Sequence, residues 1–235
     1  MPPRASTPPP RESFPQAVYA DVDGTITRYT TIFDFLLFDA RLRGVEPEGR
    51  AFLASLRERA AAGEPRTATN THYFTWWAGR AADDVDAVAH AWAEGLGRRD
   101  GLFHEGVALR LERARLQGSR LVAVTASFRP ALRHVLERLP DLELLCAELE
   151  TGPDGRYTGA IDAPLVGDAK ALRVRAHAEA FGIELARCEA YGDHPSDLPF
   201  LRAAGWAWLV GADGELVPVE SSAEGAARRV DGRVL

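Results

Sequence analysis

Several short apolar runs of this chain end in an acid or a hydroxyl, and that pattern restricts the fold more than anything else in it. Ala17–Ala20 leads into Asp21, residues 121–124 into Thr125, and residues 189–191 into Gly192 and Asp193. Runs of this length bounded by polar or turn residues read as buried strands. Helical patterns stand between them: 105–117 stopped by Gly118, 130–138, 169–181 ended by Gly182, and 197–204, before a last strand at 206–210. Strands alternating with helices build a parallel sheet covered on both faces. The expected class is therefore α/β, a Rossmann-like three-layer core. In such a sheet the strand carboxyl ends share one edge, and ligands bind there.

One long stretch breaks the alternation. From about 31 to 100 there is no strand signal, only helical stripes: Phe33, Leu36, Leu37 and Ala40, then Phe52, Leu53, Leu56 and Ala60, then 83–92 with Asp83 or Asp84 as cap. This reads as an all-helical insertion between the first and second sheet strands. Residues 142–149 read as strand-like, and 152–161 as a small hairpin around Pro153, Asp154 and Gly155. The expected organisation is a disordered proline-rich tail over 1–15, an α/β core over 16–30 and 101–219, a helical cap over 31–100, and a flexible tail over 220–235.

Charge and composition exclude some classes. A net charge of −6 argues against a general nucleic-acid surface. No apolar run approaches the length of a membrane span. Cys146 and Cys188 lack metal-type spacing and read as free core thiols in a reducing compartment. The proline-rich start has no apolar stretch of the kind a secretory signal needs, so a cytoplasmic protein is expected. Lys170 is the single lysine among 28 basic side chains. Arginine does not replace lysine where a compact point charge is needed, so Lys170 is a candidate for special work, against lineage drift as the alternative.

The polar groups at the strand ends and helix starts are Asp21 and Asp23, Thr125, Lys170, and Asp193 with Asp197. Together they supply what phosphoryl transfer requires: a nucleophile, a proton donor, a hydroxyl and a cation for the phosphoryl oxygens, and carboxylates for a metal. Asp21-Val22-Asp23-Gly24-Thr25, Val124-Thr125-Ala126-Ser127, Gly155-Arg156-Tyr157-Thr158-Gly159, Ala169-Lys170-Ala171 and Tyr191-Gly192-Asp193-His194-Pro195-Ser196-Asp197-Leu198-Pro199 resemble the haloacid dehalogenase superfamily. The resemblance is to its phosphoserine phosphatase-like branch, with a helical cap after the first motif, and it runs from about 17 to 210.

That resemblance implies an Mg²⁺-dependent phosphatase acting on a small-molecule phosphate ester, as a monomer or homodimer without nucleic-acid or membrane partners. Asp21 is implied as nucleophile, forming an aspartyl-phosphate, and Asp23 as the acid and base of its two half-reactions. Thr125, with Ala126, Ser127, Gly24 and Arg28, is implied in phosphate or substrate binding, and Lys170 in bridging Asp21 and the phosphoryl group. Asp21, the Asp23 main-chain carbonyl and Asp193 are the implied Mg²⁺ ligands, with Asp197 and His194 in support. A phosphotransferase using the same intermediate and a non-catalytic phosphate-binding homologue are the alternatives.

The chain also departs from its relatives. Phosphoserine phosphatases carry a glutamate nine residues after the nucleophile, and here that position is Thr30, which disfavours phosphoserine. His194 replaces a small residue; lining the mouth, touching substrate and packing all remain open to it. Tyr73, Phe74, Trp76 and Trp77, with His72 before them, read first as cap core and second as a ligand box. Arg28 and Tyr29 lie in the hinge segment just past Asp23 and are candidates for substrate contact.

Overall fold

The computed structural model describes residues 14–221. Most of both expected tails, 1–13 and 222–235, lies outside the described residues. Strand β1 (Ala17–Ala20) is buried at every position, as a strand covered on both faces must be. Four helices follow it: α1 (Thr31–Leu42), α2 (Glu46–Ala61), α3 (Arg66–Phe74) and α4 (Ala82–Leu96). The chain then runs through α5 (Glu105–Leu116), β2 (Arg120–Phe128), α6 (Arg133–Arg138), β3 (Leu142–Ala147), β4 (Leu149–Thr151) and β5 (Tyr157–Ile161). It ends with α7 (Asp168–Ala180), β6 (Glu189–Gly192), α8 (Leu198–Leu201), β7 (Trp206–Val210) and β8 (Leu216–Pro218).

The main sheet has the order β3-β2-β1-β6-β7-β8. All neighbours pair in parallel except β8, which runs antiparallel to β7. The chain winds outward from β1 through β2 to β3, then returns to the other side of β1 for β6 and β7. The order therefore reverses at β1, and its carboxyl end is the switch point where open sheets form their crevice. Alternation along β1 feeds two cores. Val18 and Ala20 pack with Val107 and Leu111 of α5, while Ala17 and Tyr19 pack with Val174 of α7 and Leu201 of α8.

A third core lies within the helical block. Phe35 stacks on Trp77 at 5.1 Å between ring centroids, and Trp77 meets Phe128 of β2 at 5.4 Å. Tyr73 and Phe74 are buried in the same cluster, so most of the aromatic stretch is packing. Trp76 stands partly outside it, against Phe52 and Asp39. The β4–β5 hairpin forms its own small sheet and docks on this block: Gly79 N–H donates to Tyr157 O, and Tyr157 N–H to Arg80 O, both at 2.8 Å.

Several boundaries differ from the sequence reading. β2 continues past Thr125 to Phe128, because Phe128 is held in the aromatic cluster. The run 142–149 divides into β3 and β4 around Glu148, whose amide is taken by Asp162. Both 130–138 and 197–204 begin as tight 3₁₀ turns, at Arg129–Leu132 and Pro195–Asp197, and the helix of the latter stops at Leu201. Trp206–Val210 is not the last strand: β8 folds back on it after the turn at 211–214. Three residues, one of them Pro218, are too short to show a period and suit only a sheet edge. Cys146 and Cys188 are unpaired thiols. Among the described residues no helix is long and apolar enough to cross a membrane.

Candidate active site

The loop after β1 is wound around one carbonyl. The amides of Thr25, Ile26 and Thr27 all point to Val22 O, at 3.2, 2.9 and 2.9 Å. Gly24 makes that winding possible with φ at +83°, a region side chains avoid. A Cβ at this position would also run into the Asp193 carboxylate, so glycine lets the β1 and β6 loops close on each other.

Asp21 sits at the head of this loop, its amide donating to Tyr191 O at 2.9 Å. Lys170 Nζ lies between two acids, 2.9 Å from Asp21 Oδ1 and 2.8 Å from Asp197 Oδ1. The ammonium comes from the first turn of α7, where Lys170 is buried. Burial works against its charge, but Asp21 and Asp197 outweigh it and the pKa is raised. Burial pushes Asp21 up to about 7 in spite of the Lys170 charge, with Asp197 and Asp23 adding to the rise. Its charged form therefore gains from any further cation.

Asp23 is placed differently. Its Oδ1 accepts the Thr31 amide at 2.8 Å, which ties it to the start of α1. Burial pushes it up to about 6, and the Thr31 hydrogen bond works the other way. Asp193 is exposed at the β6 end, and Thr25 Oγ1 donates to its Oδ1 at 3.4 Å. Asp197 is fully engaged, with Lys170 on Oδ1 and the His194 amide on Oδ2 at 3.3 Å.

Asp21, Asp193 and Asp197 each offer an oxygen within 4.8 Å of the others. A set of hard carboxylate oxygens suits a divalent cation such as Mg²⁺. With both Asp197 oxygens engaged, Asp21 and Asp193 are the acids of this set best placed to ligate, and the missing Cβ of Gly24 leaves Asp193 room beside the β1 loop. The donor set therefore fits the ion.

Asp21, Asp23, Lys170 and Asp193 form the floor of a cavity of about 420 Å³, together with Thr125 and Ala126. Thr125 Oγ1 accepts the Ser127 amide at 3.1 Å. Four of the residues named from sequence do not line it: Gly24, Arg28, Ser127 and Asp197, the last buried behind Lys170. Ser127 is buried with its hydroxyl turned to Thr31 Oγ1 at 3.1 Å, and Arg28 is exposed outside the cavity, its amide donating to Leu102 O. Gly24 acts through space it leaves free. His194 does line the cavity. Its Nδ1 accepts the Ser196 amide at 3.1 Å and faces Arg66 at 2.7 Å, so the ring proton belongs on Nε2. Burial and Arg66 lower its pKa.

Most of the roof comes from residues the sequence did not single out for the site, although Tyr73 of the aromatic stretch and Thr30 line the cavity too. Arg57 of α2 and Arg66, Thr69 and Asn70 of α3 line it, with Leu165 and Val166 at the side. Asn70 Nδ2 donates to Ala126 O at 3.1 Å, and Arg66 also reaches Ser196 Oγ at 3.0 Å. Helix α3 thus touches both core loops that flank the floor. In sequence the only signal for these positions is the non-apolar face of two helices.

A doubly wound sheet whose switch point carries a buried aspartate, joined by a lysine and two further aspartates, defines a Rossmann-like α/β protein with its polar site at the sheet edge. The chain belongs to the haloacid dehalogenase-like hydrolase family, whose model matches residues 18–202. It is 31% identical over 198 residues to a phosphoserine phosphatase of Halobacterium salinarum, covering 82% of this chain and 83% of that one. It is 28% identical over 114 residues to an inhibition of morphological differentiation protein of Streptomyces azureus. That match takes in 48% of this chain and 41% of the relative, so less than half the relative's length is spanned. Among solved structures, a protein of unknown function from Bordetella pertussis Tohama I shares the fold with a TM-score of 0.71 at 22% identity, over 84% of this chain and 90% of the other.

Proposed function

We propose that the protein is a phosphatase that hydrolyses a small-molecule phosphate monoester through an aspartyl-phosphate on Asp21. The observation that carries this reading is the division of labour between the first two aspartates. Asp21 is held against Lys170 at 2.9 Å, while Asp23 is held apart on the Thr31 amide at 2.8 Å. One carboxylate is thereby set to attack and the other to manage a proton.

In the first half-reaction an Asp21 oxygen bonds to phosphorus and the ester P–O bond breaks. Asp23 gives its proton to the departing alcohol oxygen. In the second, water attacks phosphorus, Asp23 takes the water's proton, and the Asp21–phosphorus bond breaks to release inorganic phosphate. Lys170 offsets the charge of a phosphate dianion approaching an anion, and Thr125 offers its hydroxyl to a phosphoryl oxygen. Asp21, Asp193 and the Asp23 main-chain carbonyl would hold Mg²⁺, which when bound supplies further charge neutralisation for the carboxylates and the phosphoryl group. Asp197 positions Lys170. Helices α1–α4 serve as the cap, over a core of 16–30 and 101–219, in a cytoplasmic enzyme.

The Halobacterium relative acts on phosphoserine by its name. For this chain phosphoserine is the less favoured substrate, since neutral Thr30 lines the cavity with Arg57 and Arg66 and the roof brings no acid for an ammonium.

The deciding test is to trap the intermediate. With p-nitrophenyl phosphate, whose leaving group needs no proton, Asp23→Asn should slow the second half-reaction more than the first, so that acid quench and peptide mass spectrometry find phosphate on Asp21. A turning-over enzyme that never labels Asp21, or labels another residue, refutes the mechanism.

A further inference from the structure

The roof of the cavity carries charge of one sign. Helix α2 holds three arginines, Arg50, Arg57 and Arg59. Arg50 pairs with Glu46 at 2.6 Å and Arg59 with Glu64 at 2.8 Å. Arg57 has no carboxylate partner among the described residues and lines the cavity instead. The other roof cation, Arg66, is held by His194 and Ser196. The acids lining the cavity, Asp21, Asp23 and Asp193, all belong to the floor. Thr30, Thr69 and Asn70 add only neutral polar groups.

A substrate seated with its phosphate on the floor turns its far end toward an unpaired guanidinium. Guanidinium matches carboxylate or phosphate oxygens two at a time, and such bonds are among the stronger ones available. An ammonium at the same place would meet like charge with no anion to offset it. The cavity volume of about 420 Å³ is at the small end of ligand sites.

Building on the phosphatase reading, we propose that the substrate is a short phosphate ester bearing a second anionic group, and that Arg57 is the residue selecting for it. The second anion is a carboxylate or a phosphate, and the ester is not a zwitterion.

A matched three-carbon series tests this on the full chain with Mg²⁺: propyl phosphate, 3-phosphooxypropanoate, propane-1,3-diol bisphosphate and 3-aminopropyl phosphate. At least one anionic ester should exceed propyl phosphate in kcat/KM by roughly tenfold, mainly through KM, and the better of the two identifies the anion. The amino ester should fall below propyl phosphate. Added salt should shrink the preference. Arg57→Ala should bring the ratio of anionic to propyl ester close to one, and Arg57→Glu should put the amino ester ahead. Arg57 is exposed, so these variants should fold. A wild type that treats propyl and anionic esters alike, or an Arg57→Ala enzyme that keeps the full preference, overturns the assignment while phosphatase activity stands. Absence of turnover on every ester, p-nitrophenyl phosphate included, overturns the phosphatase reading and this assignment with it.

Discussion

Lys170 of the core and Arg57 of the helical block line one cavity, and their surroundings differ in kind. Lys170 is buried, with carboxylates at 2.9 and 2.8 Å. Arg57 is exposed and has no carboxylate partner among the described residues. The floor is built largely from strand ends whose backbone is fixed by the sheet, and Lys170 is paired with Asp21 and Asp197 before any substrate arrives. The roof around Arg57 is built from helix surfaces, joined to the floor by Asn70 and Arg66. A preorganised floor suits bond making and breaking, where reorganisation at the moment of reaction is costly. A sparsely bonded roof suits discrimination, because Arg57 is left to bind what enters.

That contrast can be broken most sharply at Asp21. Asp21→Asn should cost kcat a thousandfold or more by order of magnitude, since a neutral amide cannot attack phosphorus. The fold should survive, because burial already disfavours the charge at this position. A kcat within about tenfold of wild type would remove Asp21 from the chemistry. Chelation comes next. Excess EDTA should silence turnover, Mg²⁺ should restore it, and calorimetry should find Mg²⁺ binding weakened in Asp193→Asn; full activity in EDTA would mean the floor works without an ion. Lys170→Arg should lower kcat by about a hundredfold, because a planar fork does not fit where one nitrogen meets both acids. If instead only KM rose, floor and roof would be doing the same job and the contrast would fail.

The smallest expected effect lies outside both surfaces. His134 is buried against Phe103 with its Nε2 lacking a partner, and burial lowers its pKa while Glu137 works the other way. The unfolded chain takes up the proton near the ordinary value of about 6.5, but the native state resists it. Stability linked to His134 is therefore complete above that pH and is lost as pH falls below it. Urea titrations at pH 7.5 and 5.5 should show a loss of at most about 1 kcal/mol in wild type that shrinks in His134→Gln. An unchanged pH dependence in the variant would exclude His134 as its source.

The floor was largely legible because each of its groups has a local signature. Asp21, Thr125 and Asp193 follow apolar runs, and Lys170 stands out as the single lysine. Ser127 and Arg28 show the limit of that logic. Both stand next to motif residues, yet the Thr31 hydroxyl takes up Ser127 and the Leu102 carbonyl draws the Arg28 backbone away from the cavity. The roof was not legible. An exposed arginine that faces a cavity looks, in sequence, like every other solvated arginine on a helix. The hairpin of β4 and β5 was readable as a hairpin, but its docking on the helical block was not, since those hydrogen bonds join residues far apart in the chain.

The sequence by itself determined that this is a parallel α/β core with a helical insertion, and that acids, a hydroxyl and one lysine meet at one edge. Periodicity and turn residues are local, and the common edge follows from parallel strands alone. Tertiary structure decided the rest: the reversal of strand order at β1, the seat of Lys170 between Asp21 and Asp197, and which arginine looks into the cavity. Those depend on how helices pack across the sheet, a sum of many weak long-range contacts that no short stretch of sequence contains.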